Sequence, residues 1–305
     1  MSLARAIDRT DREPMLPSSV VRGIRAVEIK ARILADEALL GTYRSVFRGS
    51  GLEFEEVREY EDGDDIRSID WNVTARMGAP YIKKFREDRE LSIFLAVDAS
   101  ASSWFGSVTQ SKRELGAEVA ALLALTAMTN NDRVGLLRFA VGMQEWLPAS
   151  RGRDHLLRVI RSLLFAPPRR TRTELSAAAR FLTNITKKRS VVFLISDFID
   201  VEIDDSMRML GRKHDVIALV LNDPREMLLP NIGVVALEDA ETGKTAYVDT
   251  SDKRLREQYC AQALQRRIDR RRALGRMKID SLELSTDRPF VPALMAFFNA
   301  RTKRP

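Results

Sequence analysis

The sequence predicts an α/β fold, a mostly parallel sheet with helices on both faces. Two observations carry this. Residues 93–97 are a continuous apolar run, the pattern of a strand covered on both sides, and 134–139, 191–195 and 216–221 read as further buried strands. Helical segments at 111–129, 154–164, 173–185 and 204–212 separate them, and alternation of this kind closes into parallel units with one handedness. The expected ligand region is the crevice at the carboxyl ends of the strands.

Taken in order, residues 1–20 read as a frayed leader carrying Pro14 and Pro17. Residues 21–40 read as one helix, with apolar positions at Ile24, Val27, Ile33 and Leu34, closed by Gly41. From Phe47 to Glu90 glycines at 49, 51, 63 and 78 punctuate short segments, which predicts a small β-rich insertion. Within the alternating region, residues 144–147 are expected to pair with the second strand, and Asp154 to cap the helix after Gly152. Beyond Asn222 come strands at 234–237 and 245–248 around a turn, then a long basic helix from Asp252 to Leu274 with Gly275 just past its end. A strand at 279–284 and a short helix at 291–298 follow. The chain divides on this reading into 1–43 (leader and helix), 44–90 (β-rich segment), 91–225 (α/β domain) and 226–305 (C-terminal α/β extension).

Of the 305 residues, 45% are hydrophobic and 30% charged, the profile of a chain that buries a core. No apolar run approaches the ~20 residues that cross a bilayer. The first residues are charged where a secretory signal needs an apolar stretch. A single cysteine, Cys260, allows no intrachain disulfide, and two histidines leave few zinc ligands. A cytoplasmic protein is expected. The net charge is +7, concentrated at Arg266 to Lys278 and at Arg169, Arg170 and Arg172. No aromatic side chains interleave these arginines for base stacking, so nucleic acid is the weaker partner class.

One turn carries chemistry. The strand Ile93-Phe94-Leu95-Ala96-Val97 runs into Asp98-Ala99-Ser100-Ala101-Ser102, placing a carboxylate and two hydroxyls together. A hard cation such as Mg²⁺ takes six oxygens at about 2.0–2.1 Å and keeps several waters. A site with few charged ligands stays electrophilic enough to accept an external carboxylate. Thr173 in Thr171-Arg172-Thr173-Glu174 and Asp197 in Ile195-Ser196-Asp197-Phe198 lie where the fold would add them. The plainer reading is that both aspartates satisfy loop N–H groups and Thr173 caps a helix. Mg²⁺ is the expected ion and Mn²⁺ a substitute; the three arginines before Thr173 would favour an acidic partner.

These residues resemble the von Willebrand factor type A domain, whose metal-ion-dependent adhesion site uses Asp-x-Ser-x-Ser with a distant Thr and a distant Asp. Asp98, Ser100, Ser102, Thr173 and Asp197 fill the five positions, over roughly residues 90–225. A wider resemblance, from about Arg44 to Phe298, is to the domain-of-unknown-function-58 family. It rests on Arg48-Gly49-Ser50-Gly51-Leu52-Glu53-Phe54, Arg58-Glu59-Tyr60, Gly63-Asp64-Asp65, Ile69-Asp70-Trp71 and Thr74-Ala75-Arg76. Downstream it rests on Asp132-Arg133-Val134-Gly135-Leu136, Leu194-Ile195-Ser196-Asp197, His214-Asp215-Val216 and Asp223-Pro224-Arg225-Glu226. Members of that family are often encoded beside MoxR-type AAA+ ATPases. The resemblance implies a substrate adaptor or co-chaperone for such a machine, with no established enzymatic activity, and no enzyme is expected.

Two enzyme-like readings fit less well. A haloacid-dehalogenase-type phosphotransferase needs a second Asp two residues after the first, and Ser100 stands there without a suitable pKa for acid–base work. Gly243-Lys244-Thr245 lacks the earlier glycine of a phosphate loop, with Glu238 in its place, and reads as a hairpin turn. A basic protein binding nucleic acid or an anionic surface is the third class. Trp71 is expected to anchor the core of the 44–90 segment. Arg58, Asp64, Asp65 and Asp70 either brace that segment or meet a partner. Asp200, Glu202, Asp204 and Asp205 are expected to be solvated loop carboxylates, with a second cation as the alternative reading.

Overall fold

The structure, a computed structural model, describes residues 18–35, 37–47, 51–88, 91–108, 110–165 and 172–303. In chain order the elements are α1 (Ser18–Leu34), α2 (Glu37–Val46), β1 (Gly51–Glu59), α3 (Trp71–Met77), β2 (Tyr81–Asp88), β3 (Ser92–Asp98), α4 (Lys112–Thr129), β4 (Arg133–Ala140) and β5 (Gly142–Ser150). They continue with α5 (Arg153–Leu164), α6 (Leu175–Ile185), β6 (Val191–Ser196), α7 (Asp205–Lys213), β7 (Asp215–Asn222), α8 (Pro224–Met227), β8 (Val234–Glu238), β9 (Thr245–Asp249), α9 (Lys253–Arg276), β10 (Asp280–Ser285) and α10 (Val291–Thr302).

The main sheet has six strands in the order β10-β7-β6-β3-β4-β5. All neighbours are parallel except β5, which runs antiparallel to β4 on one edge. The period-2 geometry of a strand explains why the apolar run of β3 is continuous. In β3, Ile93 and Leu95 face one buried cluster with Leu115, Leu122 and Val159, while Phe94 and Ala96 face another with Leu175, Ala179 and Leu210. Both faces are thus covered by helices, as the α/β reading requires. β10, from the stretch expected as a C-terminal extension, is the sixth strand of this sheet. α2 and α10 close the first face, where Phe47 meets Phe298 edge-on at 5.3 Å and Phe193 at 5.8 Å.

Several local expectations are corrected. The N-terminal helical region is two helices, broken between Leu34 and Glu37, and Gly41 lies inside α2 on an exposed turn where a Cβ would meet nothing within 4 Å. The helix reaching Asp154 starts one residue earlier, with Gly152 as its N-cap. α9 runs through Gly275 to Arg276, and the left-handed residue after it is Lys278 (φ 59°), which turns the chain so that Ile279 is buried. Trp71 is 68% exposed rather than a core anchor: it occupies the first turn of the short helix α3. Polar contacts hold that segment instead. Arg58 pairs with Asp64 at 2.7 Å, Asp65 caps a 3-10 turn, and Asp70 caps α3 while pairing with Lys83 at 3.0 Å. Asp204 caps α7.

His214, at the foot of β7, is buried and locked in one tautomer. Ser190 N–H donates to Nδ1 at 3.2 Å, so Nε2 carries the proton and donates to Thr186 Oγ1 at 2.8 Å. Burial, then the charges of Lys213 and Arg189, depress its pKa to about 4. Because the folded pKa lies below the unfolded one, this contribution is complete above pH ~6.5 and is lost as pH falls toward 4. Urea unfolding at pH 7 and pH 4.5 is expected to show a stability loss of about 2 kcal/mol that His214→Gln reduces. An unchanged slope in the variant would rule out His214 as its source.

Candidate metal centre

The strand order reverses direction beside β3: the chain leaves β3 toward β4 on one side and later returns to β6 on the other. Ligands of open α/β sheets gather at such a switch point, outside the strand carboxyl ends. Asp98 ends β3, and Asp197 directly follows β6 on the adjacent strand. Backbone bonds fix the loops around them. Ala99 N–H donates to Phe139 O at 2.7 Å, and Glu174 N–H donates to Ala140 O at 2.8 Å. The second bond draws the segment before α6 to the same end of the sheet. Thr173 therefore lies ahead of α6 rather than in its first turn as expected.

Four of the five expected residues are joined directly. Thr173 Oγ1 donates to Asp98 Oδ2 at 2.9 Å, Ser100 N–H donates to Asp98 Oδ1 at 2.8 Å, and the Ser100 and Ser102 hydroxyls lie 3.1 Å apart. Ser196, part of the Leu194–Asp197 block but not expected at the site, donates to Asp98 Oδ2 at 2.6 Å. Asp98 is 6% exposed and Ser100 fully buried. Burial, followed by the nearby Asp197 charge, raises the Asp98 carboxyl to about 6, against opposing hydrogen bonds from Ser196 and Ser100.

Asp197 is placed differently. Its Oδ2 accepts from the ammonium of Lys112 at 2.6 Å, its Oδ1 from Ile199 N–H at 3.0 Å, and its main-chain carbonyl from Arg270 at 3.0 Å. Lys112 also bonds Glu226 Oε1. Burial works against the Lys112 charge, but Asp197 and Glu226 together hold its pKa above the usual value. Burial raises Glu226 even so. Neither Lys112 nor Glu226 was expected at the site from the sequence. One signal existed: Lys112 and Arg113 open a helix, where the macrodipole disfavours cations. Lys112 follows Ser111, whose capping box with Glu114 starts α4. The loop before it is tight. A Cβ on Gly106 would come within 2.6 Å of the Ser111 backbone, and Lys112 N–H donates to Phe105 O at 2.9 Å.

The donor chemistry suits a hard cation. Thr173 and Ser196 hydroxyls bond the buried Asp98 carboxylate, and the Ser102 hydroxyl joins through that of Ser100. A cavity of about 30 Å³, large enough for about one water, lies on the Asp98, Ser196, Asp197 and Lys112 side, away from Ser100, Ser102 and Thr173. Among the described residues no three His, Cys, Asp or Glu side chains form a group that could hold a metal ion.

Of the arginines expected beside the site, Arg169 and Arg170 lie outside the described residues. Arg172 is exposed and bonds Glu241 at 3.0 Å. In the basic helix, Arg267 pairs with Glu283, and Arg270 reaches Glu283, Asn222 and the Asp197 carbonyl. Part of that charge is therefore structural. Asp132, in another of the motif blocks, is also structural: it accepts from Tyr43 OH at 2.8 Å and Leu91 N–H at 3.1 Å. No helix among the described residues is long and apolar enough to cross a membrane.

The chain is similar to an uncharacterized protein of Mycobacterium tuberculosis, 31% identical over 300 residues and covering 94% of each chain. An uncharacterized protein of Mycobacterium bovis matches with the same figures. Among solved structures, it is similar to BatB from Bacteroides thetaiotaomicron (16% identity, TM-score 0.45, 70% of this chain and 100% of that one). It is also similar to the SpRpn10 VWA domain (12% identity, TM-score 0.33, 44% and 76%). The family described as Protein of unknown function DUF58 matches residues 56–269, and the chain belongs to that family.

Proposed function

We propose that this protein is a divalent-cation-dependent protein-interaction module rather than an enzyme. The observation that carries the reading is the convergence of Asp98, Ser100, Ser102 and Thr173 at the sheet's switch point, joined by hydrogen bonds of 2.8–3.1 Å. Asp98 would hold the ion, the three hydroxyls would turn lone pairs toward it, and Asp197 would act from the next layer. Mg²⁺ is the favoured ion, with Mn²⁺ a substitute. Once bound, the cation supplies an open coordination position for a carboxylate oxygen of a partner. Asp98 and the fixed loops around it hold that position in place, and Ser100 stands where acid–base chemistry would need a second carboxyl group.

The partner in this reading is an acidic protein segment, and the wider assembly is with a MoxR-type AAA+ ATPase in the cytoplasm, the protein serving as adaptor or co-chaperone. The test is recovery of partners from cell extract by tagged wild-type and Asp98→Ala chains, with Mg²⁺ or with a chelator. Binding is expected only for the wild type with Mg²⁺. Identical partner sets in all four conditions would sink metal-dependent recognition.

A second reading has one supporting observation: Arg271, Arg272 and Arg276 are exposed on α9. A polyanion bound there would dissociate steeply with added salt, whereas binding through the cation would respond to chelator.

A further inference from the structure

Asp98 and Asp197 flank the same switch point, yet their partners differ in kind. Asp98 accepts from one N–H and two hydroxyls, all neutral. A hydroxyl carries lone pairs as well as a proton, so Thr173 and Ser196 can rotate and face a cation without leaving their places. Asp197 accepts from an ammonium, which has three donors and no lone pair. A divalent ion can take Asp197 as a direct ligand without facing the ammonium at close range only if Lys112 withdraws.

The surroundings prevent that withdrawal. The Lys112 side chain is 1% exposed, its backbone is pinned to Phe105, and the loop before it is packed backbone to backbone at Gly106. Its second anionic partner, Glu226, is held in turn by the capping box with Asp223 that starts α8. The other Asp197 oxygen is engaged by Ile199 N–H.

We infer that Lys112 is a built-in competitor of the divalent cation for Asp197: it keeps that carboxylate out of the direct ligand set and weakens metal binding. This rests on the cation reading above. The consequence for recognition follows from charge. A cation with Asp98 as its one direct carboxylate keeps net positive charge, and the neighbouring ammonium adds to it, so an incoming carboxylate is attracted more strongly than at a site with two direct carboxylates.

The test is Mn²⁺ titration of the full chain, stripped of metal, read by the electron paramagnetic resonance signal of free Mn²⁺. Asp98→Ala comes first: loss of binding is expected, and unchanged binding would overturn the cation site itself. Lys112→Met keeps the apolar stem and removes the charge. It is expected to bind Mn²⁺ at least tenfold more tightly, and affinity equal to or weaker than wild type overturns the competition. Combining it with Asp197→Asn separates competition from a general field: in that background the gain from Lys112→Met should be at least threefold smaller than in the wild type, and a gain of the same size overturns the inference. Should Lys112→Met fail to fold by circular dichroism, Glu226→Gln serves instead. It leaves the ammonium wholly to Asp197 and should weaken Mn²⁺ binding at least threefold in the wild type but by a clearly smaller factor with Asp197→Asn; unchanged or tighter binding, or an equal loss in both backgrounds, overturns the competition as well.

Discussion

Magnesium is expected to reverse the stability order of the wild-type chain and its Asp98→Asn variant. Without metal at pH 7.5, Asp98 must be charged in a site that raises its pKa to about 6, through burial and then the Asp197 charge. A carboxyl with a raised folded pKa contributes stability that is complete below the unfolded value, ~3.8, and lost as pH rises through 6. The variant has no charge to bury and should be more stable than wild type in chelator, by about 3 kcal/mol. Added Mg²⁺ at about 1,000 times its Kd stabilises the binding-competent chain by about 4 kcal/mol and leaves the variant unmoved. Urea unfolding in chelator and in Mg²⁺ measures both. Equal shifts in the two chains would show that the ion binds elsewhere.

The largest loss of stability is expected from Asp223→Ala. Asp223 is fully buried and gathers three segments. It accepts from Ser107 N–H at 2.9 Å and the Ser107 hydroxyl, from Arg225 N–H at 2.9 Å, and from Thr286 Oγ1 at 2.8 Å beyond β10. Burial pushes this carboxyl up, but the hydrogen bonds from Ser107, Arg225 and Thr286 outweigh it and hold the pKa below its ordinary value. Its contribution is therefore present above pH ~3.8 and lost as pH falls through the lower folded value. Alanine leaves several buried donors unpaired at ~1–3 kcal/mol each, partly relieved by relaxation, so a loss of about 3–5 kcal/mol is expected at pH 7 by urea unfolding. A loss below about 1 kcal/mol would mean that water replaces the carboxylate. The variant should also loosen Glu226, whose carboxylate accepts from Asp223 N–H at 3.0 Å, and with it the position of Lys112.

These two residues show which parts of the molecule were legible. The strand ending at Asp98 was readable because a strand buried on both faces leaves an uninterrupted apolar run, and the residue after such a run must lie at the sheet's end. Asp98, Ser100 and Ser102 are two residues apart, so one turn brings them together whatever the rest of the chain does. Thr173 was readable as a helix-start residue at the same end of the sheet, although it lies in the loop ahead of α6. Its bond to Asp98 depends on Glu174 N–H reaching Ala140, which no local pattern specifies. Trp71 was misjudged for the same reason in reverse: an aromatic in a compact motif is expected to bury, but α3 belongs to a segment braced by Arg58–Asp64 and Asp70–Lys83 instead.

Local sequence is sufficient for the α/β alternation, the carboxyl-end location of the site and the Asp-x-Ser-x-Ser turn. Each follows from interactions within a few residues or from the period-2 burial of single strands. Long-range packing decides that 279–284 supplies the sixth strand, that Ser196 completes the shell of Asp98, and that Asp197 is bound to an ammonium. Lys112 and Asp197 are 85 positions apart, and Lys112 and Glu226 are 114 apart. Their meeting is fixed by the crossover of strands around β3, and no short-range propensity encodes that placement.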